Sequence, residues 1–234
     1  MGELRSLVAI SQELADGRNP STKPPGDAIY RLYDHYFGDM MDAPITLLEL
    51  GVHSGESLKT FATYFRRGTI IGLDVEDRYT DFSAWPNIRF MSADQRDRAA
   101  LAQICASHAP AGIDIIIDDA SHFGSWSLAS YRALFPHLKP GGFYVIEDWA
   151  TGYWEDWPDG GPFRECDATP SGGELVKRLA SHDFGMVGLV KHFVDEVASD
   201  GIRASVTAPI TRERRLDSMT VHREMVVLRK ARSS

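Results

Sequence analysis

The fold of this chain is decided by the stretch Leu48-Glu49-Leu50-Gly51-Val52-His53-Ser54-Gly55. The apolar run that begins at Ile45 and leads into this stretch predicts a buried strand. A glycine turn directly after a buried strand lets the backbone approach a ligand at the carboxyl end of that strand. The stretch therefore predicts a strand, a tight turn and a nucleotide-like ligand above the turn.

Strands alternate with helices after this turn, which is typical of crossover connections and a parallel sheet. We expect helices at 56–65, 98–108, 125–138, 173–181 and 187–198, and strands at 45–50, 69–75, 88–92, 113–118 and 143–147. A hairpin is expected at 218–222 and 225–230. The pattern predicts an α/β, Rossmann-like fold: a mostly parallel seven-stranded sheet with helices on both faces and an antiparallel C-terminal hairpin.

The N-terminal part of the chain predicts two helices, at 3–14 and 28–40, separated by a Gly- and Pro-rich break at 17–26. We divide the chain into an N-terminal helical segment or lid, residues 1–44, and a main domain, residues 45–234. The whole chain has 234 residues, of which 43% are hydrophobic. That is enough for one continuous core.

Charge and cysteine content exclude several classes of protein. The net charge of -8 disfavours a nucleic-acid partner, because the phosphate backbone repels an acidic surface. Cys105 and Cys166 are far apart and have no CxxC spacing, which argues against a disulfide framework or a thiolate zinc site. The N-terminus has no long apolar run, so we expect neither a signal peptide nor a membrane span. A cytoplasmic location fits these observations.

Acidic residues follow the second and third strands. Asp74 ends the second strand, where a carboxylate accepts hydrogen bonds from ribose hydroxyls, and Asp94 follows the third, within reach of an adenine amino group. Each feature alone is also compatible with an ordinary turn or strand end. In this order they resemble class I S-adenosylmethionine methyltransferases over residues 45–148. The resemblance implies this cofactor, bound by Glu49, Gly51, Ser54, Gly55, Asp74, Asp94 and Asp118.

Two acidic pairs follow the fourth and fifth strands. They are Asp118-Asp119 and Glu147-Asp148, and adjacent parallel strands bring them to one edge of the sheet. Carboxylates so close together need a cation, and oxygen ligands suit a hard ion such as Mg²⁺. His122 follows Asp119 by three residues, so it is expected near the ion. An imidazole can accept a proton near neutral pH. The alternative is that these residues are solvated loop starts, helix caps and a structural histidine.

The motif Asp-Asp-x-Ser-His at 118–122, followed by a Pro-Gly-Gly strand that ends in Glu-Asp, resembles a narrower family. These are the metal-dependent sugar O-methyltransferases of macrolide biosynthesis and related enzymes of mycobacterial methylated polysaccharides. The resemblance implies that Asp119, Glu147 and Asp148 bind Mg²⁺ and that His122 is the general base. It also implies a homodimer or larger homo-oligomer. Lys23 takes the place of a cofactor-contacting lysine, although the family's Thr-Asp-Lys segment is here Ser-Thr-Lys.

Aromatic residues follow the fifth strand in a loop rich in Gly, Pro and Asp. We expect Tyr153, Trp154 and Trp157 to contact the acceptor sugar, since aromatic rings in such a loop are hard to bury. Tyr30, Tyr33 and Tyr36 have helical spacing and suit core packing equally well. Among acceptors, a methylated mannoside or similar oligosaccharide is preferred to a macrolide because the chain is compact.

Three other functions stay open at this point. Three carboxylates and a histidine are also compatible with the iron chemistry of cephalosporin-hydroxylase-like proteins, although iron usually has more imidazole ligands. A non-catalytic protein that senses S-adenosylmethionine has no need of His122 or the acidic pairs. Nicotinamide binding is disfavoured because the glycines lack the GxGxxG spacing.

Overall fold

A computed structural model describes residues 5–15, 28–76, 80–163, 182–198 and 215–232. The helices are α1 Leu7–Leu14, α2 Ala28–Phe37, α3 Glu56–Tyr64, α4 Arg98–His108, α5 Gly124–Leu134 and α6 Gly185–Val197. The strands are β1 Thr46–Leu50, β2 Thr69–Asp74, β3 Ile88–Ser92, β4 Ile113–Asp118, β5 Leu138–Glu147, β6 Leu216–Val221 and β7 Met225–Lys230. The expected helix at 173–181 lies outside the described residues.

The strands form one seven-stranded sheet in the order β3-β2-β1-β4-β5-β7-β6. Strands β1 to β5 are parallel, and β7 is antiparallel to both β5 and β6. The predicted fold class is confirmed, including the antiparallel hairpin. Because β7 inserts between β5 and β6, the last described strand lies inside the sheet, and β6 is the outermost of the described strands on that side. The carboxyl ends of β1, β2, β4 and β5 share one side of the sheet, where ligands of such folds bind.

Two hydrophobic clusters cover the two faces of the sheet, as alternation along the strands requires. Leu48, Leu50 and Ile116 face the cluster that α4, α5 and α6 complete. Leu47 and Ile117 face the cluster that α1, α2 and α3 complete. The N-terminal helices are therefore packed against the domain, and a lid function for residues 1–44 stays a prediction. None of the described helices is long and apolar enough to cross a membrane.

Several boundaries differ by a few residues from the sequence-based expectation, and the largest difference is at the start of the fifth strand. The Lys-Pro-Gly-Gly segment, expected to precede the fifth strand, lies inside β5, which begins at Leu138. Leu138 pairs with Ile113 of β4, and the register then shifts before Phe143 pairs with Ile115. Gly141 takes a φ of +77°, which a glycine adopts without strain. Pairing with β4 thus extends the strand through residues that are turn formers by local propensity.

Candidate active site

The glycine turn after β1 passes directly beside the end of β4. Gly51 has a φ of +86°, and a Cβ atom placed there would lie 2.0 Å from the backbone oxygen of Asp119. The amide of Gly51 donates to the carbonyl of Leu73 (2.8 Å), and the amide of Asp119 donates to the carbonyl of Leu50 (2.9 Å). Only glycine fits this position, and the turn is fixed to the ends of β2 and β4.

Asp74 organises the same turn from β2. Its Oδ2 accepts hydrogen bonds from the amides of Val52 (2.8 Å) and His53 (3.0 Å). Ser54 and Gly55 follow, and Gly55 has a φ of +77° at the start of α3. Asp74 therefore holds the loop in place, and it also lines the cavity above the loop. Its contact with a ribose remains a prediction.

A cavity of about 440 Å³ opens above this turn at the carboxyl ends of the strands. This volume is in the range of small-molecule sites. Its walls are formed by Leu50, Gly51, Leu73, Asp74, Val75, Ala93, Asp94, Gln95, Arg96, Ala120, Ser121 and Trp126. The cavity thus gathers Gly51, Asp74 and Asp94, three of the residues expected to bind the cofactor.

Asp94 is paired with Arg96 at the mouth of this cavity. The guanidinium Nη2 lies 2.6 Å from Asp94 Oδ2, and the hydrogen bonds from Arg96 lower the pKa of Asp94 to about 2. The guanidinium carbon of Arg96 also lies 4.1 Å from the ring centre of Trp126. Trp126, which no sequence motif indicated, supplies an aromatic wall. Its position in the first turn of α5, shortly after His122, is the sequence feature that could have indicated it.

Asp118 is buried beside Gln95, a residue of the cavity wall, but does not line the cavity itself. Its side chain is 2% exposed and accepts a hydrogen bond from Ser130 Oγ (2.6 Å), with Gln95 Nε2 at 3.4 Å. Burial raises the pKa of this carboxyl. Asp118 pairs with Leu50 and Ile146, so it lies on the sheet face of the first hydrophobic cluster. The predicted contact between Asp118 and the cofactor remains a prediction.

Glu49, Asp119 and Glu147 come together on the opposite face. One carboxylate oxygen of each lies within 4.8 Å of the others, and both glutamates are buried. Ser57 Oγ donates to Glu49 Oε2 (2.8 Å), and the hydroxyl of Tyr33 donates to Glu147 Oε1. Glu49, which was expected to contact the cofactor, also belongs to this carboxylate cluster, and its cofactor contact remains a prediction.

A second group shares Asp119 with the first. Asp119, His122 and Asp148 also place one ligand atom each within 4.8 Å of one another. Asp119 is thus within 4.8 Å of Glu147 in one group and of Asp148 in the other, and the two groups meet at Asp119. Clustered carboxylate oxygens and one imidazole fit a hard divalent cation, which offsets the repulsion among them.

The aromatic loop lies beside His122. Trp157 Nε1 donates to the carbonyl of His122 (3.1 Å), and the Trp157 ring centre lies 6.2 Å from the imidazole. Trp154 is 54% exposed and meets Trp157 edge-on. Tyr153 instead packs among the rings of Trp149, Phe163 and His182. The structure therefore places Trp157 beside the predicted base and Trp154 next to Trp157, while Lys23 lies outside the described residues.

Comparison with known proteins places these features in context. Residues 48–149 match the family profile described as a methyltransferase domain. Demethylmacrocin O-methyltransferase of Streptomyces fradiae is 35% identical over 172 residues, covering 70% of this chain and 38% of the relative. Mycinamicin VI 2''-O-methyltransferase of Micromonospora griseorubida is 38% identical over 155 residues, covering 63% and 37%. The chain thus spans well under half the length of these two relatives.

Solved structures agree with the sequence relatives. The MycE methyltransferase from the mycinamycin biosynthetic pathway, in complex with Mg and SAH, superposes with a TM-score of 0.74 and 27% identity. The match covers 98% of this chain and 54% of MycE. An O-methyltransferase from Bacillus cereus in complex with SAH has a TM-score of 0.54 at 14% identity, over 96% of this chain and 90% of that one, and supports the fold alone. The resemblance to macrolide sugar O-methyltransferases is confirmed.

Proposed function

We propose that this chain, which carries a methyltransferase domain and is related to sugar O-methyltransferases, transfers a methyl group from S-adenosylmethionine to a sugar hydroxyl in the presence of Mg²⁺. The product S-adenosylhomocysteine and the metal are both present in the MycE complex. The acceptor class proposed is a glycoside or oligosaccharide.

One observation carries this proposal: the Asp119 carboxylate lies within 4.8 Å of Glu147 in one group and of Asp148 and His122 in another, at the same sheet edge as the Gly51 cavity. The backbone of Asp119 touches the glycine turn, so the acidic cluster and the cavity share a wall. A methyl donor in the cavity and an acceptor held at the acidic cluster are then neighbours. Such positioning is worth up to ~7 to 11 kcal/mol in favourable cases.

Asp119, Glu147 and Asp148 are the residues that would hold the metal ion. When bound, Mg²⁺ supplies a Lewis acid that lowers the pKa of an acceptor hydroxyl. The buried position of Glu147 and the exposed position of Asp148 give the site one side in the protein interior and one side open to an acceptor.

His122 accepts the proton of the acceptor hydroxyl in this proposal. Its Nε2 lies 3.7 Å from Asp148 Oδ2, so a carboxylate is in place to stabilise the imidazolium that forms. The hydroxyl oxygen then forms a bond to the methyl carbon as the carbon–sulfur bond breaks, and the electron pair of that bond stays on sulfur. No covalent intermediate with the protein is needed.

Trp154 and Trp157 would contact the acceptor sugar, because the Trp157 ring lies beside His122 and the exposed Trp154 ring lies next to Trp157. The relatives named above act on macrolide-type glycosides by their names, which supports a glycoside acceptor. The preference for a methylated mannoside rests on compactness alone and remains a prediction, as do a cytoplasmic location and a homo-oligomeric state.

The proposal is tested by incubating the purified chain with methyl-labelled S-adenosylmethionine, Mg²⁺ and a panel of macrolide glycosides, rhamnosides and mannosides. We expect label in at least one sugar, loss of transfer with a chelator and recovery when Mg²⁺ is restored. D119N should lose activity, whereas D114N, which changes an acid on the far end of β4, should retain it. Chelator-resistant transfer would contradict the metal role. Cofactor binding without transfer to any acceptor would favour a sensor.

A further inference from the structure

Tyr33 links the N-terminal helix α2 to the acidic cluster. Its side chain is fully buried, and its hydroxyl donates to Glu147 Oε1, a residue 114 positions away in the chain. The phenol ring stacks on Phe37 at a centre distance of 5.2 Å and meets Phe61 edge-on at 5.4 Å. Packing on both sides leaves the hydroxyl little freedom to point elsewhere.

This hydrogen bond is compatible with metal binding by the same glutamate. A carboxylate has two oxygens and about four lone-pair sites, so Glu147 can accept from Tyr33 and still ligate an ion. A free glutamate side chain is rotamer-rich, and fixing it costs entropy. A buried donor that holds one oxygen reduces the entropy lost when the ion binds. Such supporting contacts orient metal ligands in many sites.

Tyr36, one turn further along α2, makes a second link to the site. Its hydroxyl lies 2.7 Å from Nε2 of His222, in the turn between β6 and β7. Two residues later the carbonyl of Glu224 accepts the backbone amide of Asp148 (2.8 Å). The hairpin turn therefore connects Tyr36 to the backbone of Asp148.

We propose that Tyr33 is a positioning residue of the metal site, which orients the Glu147 carboxylate, and that Tyr36 supports Asp148 through the hairpin turn. Helix α2 then contributes to metal affinity without contacting the ion. This inference rests on the proposed function, in that Glu147 and Asp148 are taken as metal ligands.

The test is the metal affinity of Y33F, which keeps the ring and removes only the hydroxyl. Titration calorimetry with Mg²⁺, and the paramagnetic resonance spectrum of bound Mn²⁺, are recorded on the full chain with S-adenosylhomocysteine present. We expect Y33F to bind metal ~10- to 100-fold more weakly and Y36F to show a smaller loss. High Mg²⁺ should restore turnover in Y33F, which a general packing defect would not allow.

Y64F is the matched control. Tyr64 is buried in the same hydrophobic cluster and its hydroxyl bonds to a carboxylate, Asp34, that lies outside the acidic cluster. Y64F should bind metal like the unmodified chain. Unchanged metal affinity in folded Y33F would overturn the proposal, and if Y33F does not fold, unchanged affinity in Y36F would do so. Weaker metal binding in Y33F would support it even if no acceptor is methylated, whereas absence of metal binding by the unmodified chain would overturn both proposals.

Discussion

Nε2 of His122 lies 3.7 Å from Oδ2 of Asp148, and both residues have left-handed backbone conformations, with φ of +53° and +51°. Each residue follows the end of a neighbouring strand, β4 or β5. The left-handed turns bring the imidazole and the carboxylate together beyond the strand ends. Asn, Asp and His tolerate this conformation better than most residues, which makes it compatible with the side chains present.

H122N should lower kcat by ~10²- to 10⁴-fold because the proton acceptor is lost, while asparagine still tolerates the left-handed backbone. The measurement is single-turnover methyl transfer together with S-adenosylhomocysteine affinity, which should not change. H108N, at the exposed end of α4, is the control and should keep full activity. Turnover of H122N equal to that of the unmodified chain would exclude His122 as the base.

G51A should destabilise the domain and abolish cofactor binding. The added methyl would meet the Asp119 carbonyl, and a φ of +86° is strained for alanine, at a cost of ~1 to 3 kcal/mol for the backbone alone. Thermal unfolding and S-adenosylhomocysteine titration measure the two effects. G38A is the comparison, because its Cβ would come no closer than 4.0 Å to the Tyr64 hydroxyl. Equal melting temperatures for the two variants would contradict the close approach.

D74N and D118N should have different effects on cofactor affinity, because Asp74 lines the cavity and Asp118 is buried in the core. Asp74 lines the cavity and accepts two loop amides, so D74N should weaken S-adenosylhomocysteine binding by ~10-fold or more, as expected for hydrogen bonds to a charged group. D118N alters a buried cluster with Ser130 and should change stability with little effect on affinity. Calorimetry of S-adenosylhomocysteine binding to both variants is the measurement. A larger loss of affinity in D118N than in D74N would contradict this expectation and favour Asp118 as the cofactor ligand.

W154A and W157F should affect different kinetic constants. Trp154 is half exposed, so W154A should raise the acceptor KM with kcat nearly unchanged. W157F removes the indole donor to the His122 carbonyl and should lower kcat by about fivefold, the value of one ordinary hydrogen bond. W85F removes an indole donor to Thr63, away from the site, and serves as the control. The measurement is steady-state kinetics on the best acceptor. A change in KM alone for both variants would contradict the separate roles of Trp154 and Trp157.

Local sequence patterns were sufficient for most of the fold. The helix expected at 98–108 and the strand expected at 113–118 coincide with α4 and β4. Asp97 caps the start of α4, and the apolar run of β4 ends at Asp118. The predicted start of the fifth strand, at residue 143, was wrong, because pairing with β4 overrides the turn propensity of Pro140 and Gly141. Such non-local pairing is not encoded in local propensity.

The acidic site could be predicted only in outline. Alternation along a strand separates Asp118 from Asp119, yet which of the two faces the site depends on register with β1 and β5. Glu49 joins Asp119 and Glu147 because all three lie on the same face of the sheet. The contact of Tyr33 with Glu147 joins distant segments and needs the tertiary structure.

The central claim is that carboxylates from the ends of β4 and β5 bind one divalent cation beside the methyl donor. Anomalous diffraction from crystals grown with Mn²⁺ and S-adenosylhomocysteine tests it most directly. We expect one strong peak ~2.0 to 2.3 Å from oxygens of Asp119, Glu147 and Asp148, next to the cofactor in the Gly51 cavity. A metal bound elsewhere, or no peak at these carboxylates, would contradict the account.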